Sequence, residues 1–77
     1  MISPIIEETP ELISARLTEM KSQIRNQHYR EACDIAESMS PNYVRDPEFR
    51  VMFFLDARNA ALRLIRHFEA KLDLFGV

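Results

Sequence analysis

Asp46-Pro47-Glu48-Phe49-Arg50-Val51-Met52-Phe53-Phe54-Leu55 opens a stretch that runs on to Phe75 with no proline or glycine after Pro47. Its first three residues are a helix start. Aspartate can cap, proline is tolerated at the first helical position, and an acid suits the first turn, where the helix dipole favours negative charge. With no breaker downstream, the pattern predicts one helix over about 47–75. At ~1.5 Å per residue it would be about 43 Å long.

The stretch can be laid on a heptad. One seam is Val51, Arg58, Ile65 and Leu72; the other is Phe54, Ala61, Phe68 and Phe75. Leu55 and Leu62 widen the apolar arc on one side, Ala57 and Leu64 on the other. The arc exceeds the ~100° of an ordinary surface helix. Opposite it lie Asp56, Asn59, Arg63, Arg66, His67 and Asp73.

Upstream, Ser40-Pro41-Asn42-Tyr43 ends another helix, expected over about 28–39. There Tyr29, Ala32, Cys33, Ala36 and Met39 recur at helical spacing, while Arg30 and Asp34 stand four apart on the other side, where they could pair weakly. Thr9-Pro10-Glu11 repeats the cap–proline–acid pattern and starts a helix over about 10–26, with Ile13, Leu17, Met20 and Ile24 as its stripe. The five-residue step from Ile24 to Tyr29 turns the apolar face by roughly 140° in a continuous helix. A break at Asn26-Gln27-His28 is therefore expected. The only glycine is Gly76, so glycine-dependent hairpin turns between strands are absent. The expected fold is all-α: a helical hairpin (10–26, 28–39) packed on a long C-terminal helix (47–75), in a single domain 1–77. Residues 1–8 form an N-terminal arm carrying Ile2, Ile5, Ile6, Glu7 and Glu8.

A chain of 77 residues hides only about 60% of the surface its unfolded form exposes, and folds of this size draw on disulfides, metals or association. One cysteine, Cys33, forms no internal disulfide, and His28 and His67 do not make a metal site with it. Association remains. The apolar fraction of 47% suits a folded chain. No apolar run nears the roughly 18 residues of a membrane span, and the first residues do not read as a signal peptide. A free thiol fits a reducing setting, so a cytoplasmic location is expected. The formal net charge of −2 gives no general attraction to nucleic acid.

Several residues are candidates for chemistry or recognition. Arg58 falls inside the apolar arc. It reads either as a specificity device at an interface or as a guanidinium that snorkels out or pairs with Glu19 or Glu37. Asn59, Arg63, Arg66 and His67 form a polar strip that could meet phosphate or an acidic partner, or simply face water. Cys33 has no basic cluster near it in sequence and reads as a structural thiol. There is no phosphate loop, nucleophile elbow or metal-ligating helix motif, and no cofactor is implied.

Asn26-Gln27-His28-Tyr29-Arg30-Glu31-Ala32, then Ile35-Ala36-Glu37 and Ser40-Pro41-Asn42-Tyr43, resembles a tetratricopeptide hairpin: a small residue, an aromatic, Glu-Ala, and a proline closing the second helix. The run His28 to Glu37 is also similar to the start of the tetratricopeptide-like chaperones of type III secretion needle subunits. Asn26 stands where the family's glycine region would be, the second helix is about a turn short, and no second repeat follows. The resemblance implies a helical chaperone or adaptor with a concave surface.

Together these readings point to a small helical interaction module, an adaptor, chaperone or inhibitor, acting on another protein or on a second copy of itself. Phe54, Arg58, Phe68, Leu72 and Phe75 are the expected anchors, since aromatics and arginine dominate interfaces. The rivals are a nucleic-acid-binding regulator using Arg63 and Arg66, and a small enzyme holding an anion with Arg58 and Arg63.

Overall fold

The computed structural model describes residues 9–76, and the arm at 1–8 lies outside them. Five helices follow in order: α1 Pro10–Arg25, α2 Tyr29–Met39, α3 Pro41–Val44, α4 Pro47–Leu55 and α5 Ala57–Leu74. The Cα positions extend over 37 × 30 × 19 Å.

Capping chemistry sets the first boundaries. Thr9 accepts a hydrogen bond from the Leu12 amide through Oγ1 (3.1 Å), with Pro10 at the first helical position. α1 ends where Gln27 takes a left-handed φ of 65°. Gln27 N–H then reaches the Ile24 carbonyl (2.9 Å) and His28 N–H the Gln23 carbonyl (2.8 Å), which is a Schellman closure. The expected break between the first two helices is present, without the glycine that usually makes one.

α1 and α2 form a hairpin against α5. α1 contributes Ile13, Leu17 and Met20, one stripe at i, i+4, i+7. α2 contributes Ala32, Cys33 and Ala36, small residues that let its backbone come close. α5 supplies Ala60, Ala61, Leu64, Ile65 and Phe68. Phe68, Ile13, Met20 and Leu64 are the largest fully buried side chains among the described residues.

The single helix expected over 47–75 is instead two. Asp56 is extended (φ −154°, ψ 85°), and its Oδ1 accepts a hydrogen bond from the Asn59 amide at 3.1 Å. An aspartate that caps a new helix replaces the backbone bonds lost at the break. The bend lets α4 fold back on α5 and lodge Phe49 in the common core. A straight helix of about 43 Å would outrun the longest dimension of the fold. The heptad therefore does not carry across Asp56, and there is no continuous coiled-coil-like seam. The count of helices also rises because Ser40-Pro41 ends α2 and starts α3, a single turn.

The α3–α4 segment is fastened by rings. Tyr43 stacks on His67 (centroids 4.1 Å apart, planes at 20°) and tilts against Phe49 (5.5 Å), while His67 meets the edge of Phe68 (5.1 Å). Arg45 Nε donates to Glu37 Oε2 at 2.7 Å, tying the end of α3 to α2. Asp46 caps α4 by accepting from the Glu48 and Phe49 amides.

Candidate functional site

α4 carries its apolar residues outward. Phe49 is buried and Met52 and Phe53 are half-buried, but Val51, Phe54 and Leu55 are 58%, 87% and 76% exposed. Two of the three adjoin the bend at Asp56, so the patch sits at a corner of the molecule. A second pair, Leu74 (87% exposed) and Phe75 (48% exposed), closes the far end of α5. α5, 18 residues long and so about 27 Å of helix, runs from one cluster to the other.

Beside α4 lies a cleft of about 500 Å³. Its α2 wall is Arg30, Cys33, Asp34 and Glu37, and its α3–α4 wall is Val44, Arg45, Phe49, Arg50, Phe53 and Phe54. The floor is apolar and the rim charged. Glu37 and Arg45 neutralise each other across it. Arg30 and Asp34, four apart on α2, make no ion pair with each other, and Arg30 and Arg50 have no ion-pair or hydrogen-bond partner among the described residues.

Cys33, on the floor, is 7% exposed. Burial, then the neighbouring charges of Asp34 and Glu37, push its thiol up from 9.0 to about 12. A thiol held protonated in this way is a poor nucleophile at neutral pH.

The polar strip on α5 has a different setting. Arg63, Arg66, His67 and Tyr43 line a shallow concavity of about 350 Å³. An adjoining one of about 450 Å³ sets Arg63 beside Asp46 and Glu48. Arg63, Arg66 and Asn59 are exposed, and His67 is half-buried under Tyr43.

The chain matches no protein-family model, no curated protein and no solved structure.

The anchors expected from sequence do not share one face. Phe54 is exposed on α4 and Phe75 half-exposed at the end of α5, but Phe68 is fully buried. Leu72 is half-buried against the core. Phe68 is thus a core residue that no partner touches while the chain is folded. Arg58 is exposed on the first turn of α5, outside any buried arc. Its place on the seam after Val51 assumed a register that the bend at Asp56 interrupts. Its expected acids are taken, Glu19 by Arg16 (2.9 Å) and Glu37 by Arg45 (2.7 Å). Arg58 lines none of these three concavities, so it does not converge on one anion with Arg63.

The cleft itself was not expected from sequence. Arg30 and Arg50 lie far apart in the chain, and no local spacing links them. Asp46-Pro47 marks the turn that brings α4 back toward α2, but says nothing of its direction. Among the described residues, no helix is long and apolar enough to cross a membrane, and no group of three or more His, Cys, Asp or Glu is placed to hold a metal ion.

Proposed function

We propose that this chain is a small helical protein–protein interaction module of the cytoplasm, an adaptor, chaperone or inhibitor, acting alone or as a homodimer. It works through α4 rather than through one long C-terminal helix. A single observation carries the reading. Val51, Phe54 and Leu55 stand 58%, 87% and 76% exposed on one nine-residue helix beside a cleft with an apolar floor. Clustered large apolar side chains in water mark interaction sites, whereas single ones need no explanation. The resemblance of the stretch Asn26 to Tyr43 to a tetratricopeptide hairpin agrees in kind with such a role. We prefer this reading to nucleic-acid contact through Arg63 and Arg66. Asp46 and Glu48 line a concavity together with Arg63, and the chain carries a formal net charge of −2.

The test is a double substitution, Phe54→Asp with Leu55→Asp, in the full chain. Sedimentation velocity reads self-association, and affinity capture from the source cells reads partners. The wild type is expected to form a dimer or a captured complex that the variant loses, with its melting temperature unchanged, because exposed positions contribute little to stability. A variant with the same mass in solution and every captured partner retained would sink the reading.

A further inference from the structure

The cleft between α2 and α4 combines three properties that specify an occupant. Its floor is apolar, with Phe49 buried and Phe53 half-buried. Its volume of about 500 Å³ falls within the ~300–1,000 Å³ typical of small-molecule pockets. Of the three arginines that line it, two, Arg30 on the α2 wall and Arg50 on the α4 wall, are exposed and paired with no described residue. The charge count then decides the sign. Glu37 is occupied by Arg45 at 2.7 Å. That leaves two guanidinium groups against one unpaired carboxylate, Asp34.

We propose that this cleft docks an acidic amphipathic segment of another protein. Its large apolar side chains would rest on Phe53 and Phe54, and its carboxylates on Arg30 and Arg50. The proposal rests on the interaction-module reading and names the partner's chemistry. An incoming carboxylate breaks no existing ion pair. An incoming lysine or arginine meets two like charges, and like-charge contact across an interface is a strong source of rejection. A second copy seated by its own α4 brings Arg50 together with Glu48, one charge of each sign, whereas an acidic segment meets the surplus of arginine with carboxylates alone and is the better fit.

The test uses the full chain and a defined probe: a fluorescein-labelled helical peptide of leucine, phenylalanine and glutamate, followed by anisotropy. Two controls replace its glutamates by lysine or its apolar residues by serine. Only the acidic apolar peptide is expected to bind, less tightly as salt rises. Reversing the rim with Arg30→Glu and Arg50→Glu is expected to weaken it by at least about tenfold and to admit the lysine peptide instead. That exchange of preference is a gain no misfolded variant can mimic. The inference is overturned if the acidic and lysine peptides bind alike, if neither binds, or if the chain sediments as a dimer that excludes the peptide. Each of those outcomes leaves the broader reading to be decided separately by the substitutions at Phe54 and Leu55.

Discussion

α4 and α5 come from one uninterrupted run of sequence and meet opposite fates. α5 alternates arginines with small and branched apolar residues, and it supplies much of the core. α4 is richer in large apolar side chains, yet only Phe49 is buried, with Met52 and Phe53 half-covered. Burial here follows neighbours, not hydrophobicity. α5 lies against both α1 and α2, whereas α4 packs on α5 and meets α3. A helix covered on one flank hides one stripe, and whatever else is apolar on it stays in water.

The contrast can be broken most directly at two phenylalanines. Phe68→Ala is expected to destabilise the chain by about 3–5 kcal/mol, because a fully buried ring leaves a cavity. Phe54→Ala should change stability by no more than about 0.5 kcal/mol. Urea melts of the two variants check this. Comparable losses would mean that α4 is as much core as α5.

Next in size is a pH effect at Cys33, on the floor of the cleft between α2 and α4. Its thiol pKa is raised from 9.0 to about 12 in the folded chain. Below pH 9 the thiol is neutral whether folded or unfolded, and its contribution is intact. Above that, the unfolded chain ionises first, so stability falls as pH rises toward about 12, by up to ~1.4 kcal/mol per pH unit. Cys33→Ala should flatten this part of the profile in melts between pH 8 and pH 11. A variant that loses stability as steeply as the wild type would show that α4 leaves the thiol solvated.

The smallest effect concerns the boundary itself. Asp56→Ala removes the side-chain acceptor of the Asn59 amide and favours helix at the bend. A loss of about 1 kcal/mol is expected, typical of a missing cap. An unchanged melt with increased helical circular dichroism would mean that α4 and α5 fuse readily into one rod.

The sequence reading located what punctuation marks. Thr9-Pro10-Glu11 and Asp46-Pro47-Glu48 fix the starts of α1 and α4, and the phase jump from Ile24 to Tyr29 fixes the break after α1. Asp56 escaped because periodicity is blind to it. Val51 and Phe54 share the heptad seams of Ile65 and Phe68, so the apolar pattern passes Asp56 without a visible fault. The structure nonetheless buries Phe49, off those seams, and leaves Val51 and Phe54 exposed. The same continuity placed Phe54 and Phe68 on one seam and Arg58 inside the arc. The α2–α4 cleft was beyond reach for another reason. Its walls are joined only by the direction in which α4 folds back, set by Tyr43 stacking on His67 and Arg45 bonding Glu37. Neither pairing has a signature in local spacing.

The bend at Asp56 has an evolutionary corollary. By turning nine residues off the end of α5, it separates the positions that hold the fold from those that meet the surroundings. Exposed sites on α4 can change with little effect on folding free energy, while Phe49, with Met52 and Phe53 packed beside it, keeps the helix seated in the core. Drift along Val51, Phe54 and Leu55 can thus retune what the chain recognises without passing through unfolded intermediates, a freedom that one continuous buried helix would not have left.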